Sequence, residues 1–92
     1  MTDDERIGNV CVSLAGHDAG LIFIVVGAAG DDYVYLADGK TRKLSAPKLK
    51  KTKHISIITR LSQENREKIS GRTANDSLLR REIARVTREM LN

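Results

Sequence analysis

The chain is 92 residues long, room for one small domain and a short appendage but not for two full domains. Apolar residues make up 40% and charged residues 30%, a balance that excludes a collagen-like, wholly disordered or membrane-embedded chain. Its 16 Lys and Arg outnumber 12 Asp and Glu for a net +4, and it has one cysteine, two histidines and no Trp. That inventory excludes an intrachain disulfide and argues against a structural zinc site.

The opening MTDDER is acidic, unlike the basic-then-apolar start of a secretory signal. It reads as an acidic arm over residues 1–7 of a cytoplasmic protein. Val10, Val12 and Leu14 alternate with polar or small residues and predict a half-buried strand. A glycine-bounded loop, Ala15 to Gly20, follows. Leu21 to Val26 is a continuous apolar run, the pattern of a strand buried on both faces, and Gly27 to Asp32 reads as a turn.

Tyr33 to Ala37 alternates again. Asp38-Gly39 suits a two-residue hairpin turn, with Lys40 to Leu44 as the returning strand. Pro47 cannot donate to a sheet ladder and belongs at an interruption or an edge. His54 to Ile58 is the last predicted strand. Five short strands joined by tight turns predict a small closed barrel over residues 8–59.

Beyond Arg60 the period changes, and residues 60–92 read as a helical extension. Ser62 to Ile69, closed by Gly71, gives one or two helical turns. Thr73 and Asp76 mark the start of a longer helix. Its apolar stripe is Leu79, Ile83, Val86 and Met90, with Arg81, Arg85 and Arg88 on the opposite side.

The charge is unevenly distributed. Residues 1–38 hold seven acids and one base, whereas residues 39–60 hold eight bases and no acid. Such a stretch repels itself unless an anion lies nearby. Lys40, Arg42, Lys43, Lys48, Lys50, Lys51 and Lys53 therefore become candidate phosphate contacts, Arg42 as a two-pronged donor. His17 in the glycine loop and His54 at the end of the basic stretch are further candidates. Gly16 and Gly20 serve positive φ or close approach of a partner. Tyr33 and Tyr35 share a strand face and either stack on unpaired bases or cover the core. Cys11 has no cationic neighbour in sequence and reads as inert.

Catalysis has little support. Asp31 and Asp32 are turn residues. Ser13, His17 and Asp18 supply reactive types without a base poised on a nucleophile. No phosphate-binding glycine motif is present, and no cofactor or metal is expected.

The segment GNVCVSLAGHDAGLIFIVVG, Gly8 to Gly27, resembles the KOW motif of ribosomal proteins and transcription-elongation factors. With DDYVYLADGKTRKLSAPKLKKTKHI it looks like the bacterial KOW-domain RNA-binding proteins, relatives of a large-subunit ribosomal protein of archaea and eukaryotes. The resemblance covers residues 8 to about 58. It implies a mainly β fold, a five-stranded SH3-like barrel with a C-terminal α-helix, that binds RNA. The implied partner is ribosomal RNA on the large subunit. Gly16 and Gly20 match the loop glycines, and Asp18 and Ala19 the loop interior. His17 stands where relatives often carry Arg or another polar residue, and Leu21 where many carry Lys or a polar residue, so the resemblance implies that this loop has lost a cation. The alternative is a protein-docking module, as in elongation-factor KOW domains, with the C-terminal helix meeting a protein partner. A lipid-binding role lacks an apolar membrane face.

Overall fold

A computed structural model describes residues 4–91; residues 1–3 of the acidic arm lie outside them. The strands are β1 (Asn9–Ser13), β2 (Ile22–Ala29), β3 (Tyr33–Ala37), β4 (Lys48–Lys51) and β5 (Ile55–Arg60), followed by helices α1 (Gln63–Ser70) and α2 (Asp76–Leu91). All strand pairs are antiparallel, in one sheet of order β4-β3-β2-β1-β5. The sheet is not closed, so the fold is a mainly β domain with two helices. Its edge strands β4 and β5 are joined in sequence by a single 3-10 turn, Thr52–His54.

Side-chain alternation gives this sheet two apolar faces. Cys11, Phe23, Val25, Val34 and Leu36 form one cluster, against which Ile55 packs. The intervening residues Val10, Ile24 and Ala37 form the second, covered by Leu61, Ile69, Leu79 and Val86. Each such aliphatic side chain is worth about 1.5–3 kcal/mol when buried, so the helices are required by the second face. Cys11 is fully buried, and burial pushes its thiol up to about 12, in keeping with an inert side chain.

Helix boundaries follow local capping. The Ser62 hydroxyl accepts from the Asn65 amide at 3.2 Å, and Gly71 closes α1. The cap of α2 is Asn75, whose side chain accepts from the Leu78 amide at 2.8 Å, not Thr73. The expected stripe is also rotated. Leu79 and Val86 are buried, but Ile83 is half-buried and Met90 exposed, while Leu78 and Glu82 are buried instead. The cause is α1, whose Asn65 donates to Glu82 at 3.2 Å. Arg85 is drawn to Glu82 and Glu89, leaving Arg81 and Arg88 exposed.

Two strand expectations are corrected. β2 runs on through Gly27 to Ala29, because an irregularity between Val25 and Gly27 keeps it paired with β3. Residues 40–44 are not a returning strand. The Asp38 carboxylate instead accepts from the Lys40 amide, the Thr41 hydroxyl and the Arg42 amide at 2.7–2.9 Å, which curls the chain on itself. The strand partner of β3 comes later, at Lys48–Lys51, directly after Pro47.

One backbone position is strained. Helices commonly end on a glycine in the left-handed region. Here Gly71 has φ −83° and the next residue, Arg72, takes φ 61°. That conformation costs a side-chain-bearing residue about 1–2 kcal/mol. Arg72→Gly is therefore expected to stabilise the fold by about 0.5–1 kcal/mol, after subtracting the greater freedom of glycine in the unfolded chain. Thermal unfolding followed by circular dichroism should show a higher midpoint; an unchanged or lower one would contradict the strain.

Candidate nucleic-acid interface

The β1–β2 connection, residues 14–21, is the part of the expected interface that the fold holds most firmly. Gly16 and Gly20 take φ 86° and 88°, conformations that glycine reaches without the cost of a Cβ. Between them, His17 and Ala19 are exposed, whereas Asp18 turns inward. Backbone bonds from Ala19 to Gly16, Gly20 to Ser13 and Leu21 to Asp18 close the loop at 2.8–3.1 Å.

Asp18 is the anchor. It accepts from Lys48 at 2.7 Å, from Lys50 at 2.8 Å and from the Ser13 hydroxyl at 2.7 Å. The Lys50 ammonium also donates to the Ala15 carbonyl at 2.7 Å. Burial raises the Asp18 pKa, but the bonds from Lys48, Lys50 and Ser13 outweigh it and hold the carboxyl far below the usual carboxylate range. The sheet register explains the geometry. Lys48 and Lys50 stand opposite Leu36 and Val34, so alternation turns them toward the Cys11–Phe23 cluster, while Leu49 and Lys51 point the other way.

The basic stretch therefore does not form one continuous cationic surface. Lys50 is only 8% exposed and, like Lys48, is committed to Asp18. Lys51 and Lys53 are exposed and share a shallow hollow of about 320 Å³ with Asp32, Tyr33 and Thr52. Lys40, Arg42 and Lys43 are exposed on a different loop. That loop is fixed to α2 by the Leu44 amide donating to Asp76 at 2.8 Å and by Arg80 donating to the Gly39 carbonyl at 2.6 Å. His54 is half-buried and ends the 3-10 turn rather than beginning a strand. Its carbonyl accepts from the Leu14 amide at 2.8 Å, which ties the glycine loop to Lys53 and His54.

The structure thus brings Gly16, His17 and Gly20 together with Lys48, Lys50 and His54, and sets Lys40, Arg42 and Lys43 apart on the α2 loop. Five of the seven candidate cations, Lys40, Arg42, Lys43, Lys51 and Lys53, have no acidic partner among the described residues. The tyrosines share a face, as expected, but it is the face opposite the Phe23 cluster, where Tyr35 remains exposed beside Leu49.

Sequence reasoning missed the anchoring role of Asp18. The available signal was an alternating Lys-x-Lys pair with one acid in a loop. Among the described residues no group of acidic, histidine and cysteine side chains could hold a metal ion. No helix there is long and apolar enough to cross a membrane. Neither a scan against protein-family models nor a search of curated proteins found a match for this chain.

Proposed function

We propose that this protein is a non-catalytic RNA-binding module of the translation apparatus. In this reading it has an SH3-like fold of the KOW type and grips structured RNA, with ribosomal RNA of the large subunit as the target class. The observation that carries the reading is the glycine loop. Its single acid is consumed internally by Lys48, Lys50 and Ser13. The surface it offers is His17 between two left-handed glycines, tied through His54 to the exposed Lys53. Backbone groups held at fixed positions beside cations suit phosphate, which demands donors and charge but no deep pocket.

Lys48 and Lys50 support the loop in this reading and do not touch RNA. The contact cations are Lys53, next to the His54 that bonds the loop, and Lys51, which shares a hollow with Lys53, with Lys40, Arg42 and Lys43 reaching a second phosphate run. Short strands folded around one cluster, with the edge strands joined by a 3-10 turn, are compatible with the SH3-like class.

Five contacts to phosphates in unpaired segments of that RNA predict a slope of log affinity on log salt of about −3.5. Reversing Lys51 and Lys53 to Glu should flatten that slope by about 1.4 and leave the unfolding midpoint unchanged. Fluorescence anisotropy of a labelled ribosomal RNA fragment across a salt series measures both. Undiminished affinity in a variant with all five exposed cations reversed would sink the RNA reading.

A further inference from the structure

A groove between the sheet and the end of α1 plays no part in the interface above. It is an open groove of about 680 Å³, within the size range of sites that hold small-molecule-sized groups. Val26, Leu44, Pro47 and Ile69 give it apolar walls. Two other lining residues give it chemical character.

The first is Tyr35, which stands opposite Gly27 in the strand register. A Cβ at position 27 would lie 3.3 Å from the Tyr35 ring, so glycine there leaves that part of the ring uncovered. The second is Arg72, the one ionisable group among the lining residues besides the tyrosine hydroxyl. Its side chain makes no ion pair among the described residues. It is also the residue held at φ 61°, where glycine would be cheaper; strained backbone positions cluster at ligand clamps and switch regions. From the groove, the same sheet face runs through Leu49 and Tyr33 to Lys51, since Tyr35 pairs with Leu49 and Tyr33 with Lys51.

We propose that this groove receives one unpaired nucleotide of a bound RNA strand, with the base against the Tyr35 ring and the phosphate on Arg72. The inference rests on the RNA reading and adds a base-contacting subsite to it. An open ring face takes any base by stacking, apolar walls flank it, and a lone guanidinium matches one phosphate. The backbone leaving the groove would follow the exposed sheet face to Lys51, so the subsite and the loop interface engage one strand.

The chain has two tyrosines and no tryptophan, so in a Tyr33→Phe variant Tyr35 is the sole intrinsic fluorophore of that class. Adenosine monophosphate and a single-stranded oligoadenylate should each quench it saturably, and inorganic phosphate should not. Arg72→Gly, which is expected to be more stable than the parent, should weaken adenosine monophosphate binding about tenfold, the worth of one charge-assisted bond. Tyr35→Leu should weaken binding of a labelled single strand by a similar factor.

Absence of saturable quenching by both nucleotide probes would overturn the subsite, as would unchanged affinity in the Arg72→Gly variant. Equal quenching by an acidic apolar peptide would overturn it in favour of a protein ligand. The two readings separate in the variant with all five exposed cations reversed. If it loses oligonucleotide affinity while adenosine monophosphate still quenches Tyr35, both stand. If it binds RNA undiminished, the loop interface falls whatever the groove does.

Discussion

Asp18→Asn is expected to destabilise the domain by about 3–5 kcal/mol, because it leaves the buried Lys50 ammonium without a countercharge. The whole stability of a chain this size is roughly 5–14 kcal/mol, so the variant should be partly unfolded at 37 °C or unfold at much lower urea. Lys48→Ala should cost much less. Its side chain is 28% exposed, against 9% for Lys50, and solvent screens what it contributes. The decisive comparison is the double variant Asp18→Leu/Lys50→Met, which removes both charges and keeps similar volume. It should recover most of the lost stability or exceed the parent. Urea unfolding of the four proteins tests this, and a double variant as unstable as Asp18→Asn would show that the pair does more than neutralise itself.

The same carboxylate sets the response to acid. Its folded pKa lies below the ordinary value of 3.8, as do those of Asp4, held at about 2 chiefly by its hydrogen bonds from Arg6, and Asp38. A depressed carboxylate stabilises the fold fully above its unfolded pKa, and that contribution drains away as pH falls toward the folded one. Stability should therefore hold above about pH 4 and fall as acid is added below it. Asp18→Leu/Lys50→Met should show a shallower acid slope than the parent. If the ion pair also fixes the loop, hydrogen exchange at the Gly20 and Leu21 amides should speed up in that variant even though the fold survives.

How much of this was legible depended on whether a residue's partner was local. β1 and β3 could be read because alternating apolar residues report burial directly. β2 was cut short because Gly27-Ala28-Ala29 carries turn-forming composition; only its pairing with Tyr35, Val34 and Tyr33 makes it strand. β4 was hidden because lysine is a poor strand former and two of its four residues face inward, where an acid some thirty positions earlier in the chain receives them. That single long-range fact also divides the candidate cations, since Lys48 and Lys50 are the two that bond to Asp18. The glycine loop survived as a candidate because its signal, two glycines flanking a polar tip, is local. The groove around Arg72 carried no such signal, since its walls come from β2, β3, the loop before β4 and the end of α1.

The loop after β3 shows the same principle at one atom. Asp38-Gly39 reads locally as a hairpin turn, and glycine is indeed needed there, but for a tertiary reason. Gly39 has φ 77°, and a Cβ on it would collide with the backbone carbonyl of Asp76 at the start of α2. Backbone cannot swing aside as a flexible side chain would. Gly39→Ala is therefore expected to cost about 2–4 kcal/mol, the left-handed strain plus the overpacking. Gly20→Ala is the matched control, since φ there is 88° and the space is open; it should cost only the conformational part, about 1–2 kcal/mol. The difference between the two urea midpoints isolates the contact with α2, and equal losses would mean that the loop does not rest on the helix. The contact matters for the interface because it carries Lys40, Arg42 and Lys43. In Gly39→Ala the Leu44–Asp76 and Arg80–Gly39 bonds should loosen together. RNA affinity should then fall by more than Gly39 itself, which offers no charge, could explain by direct contact.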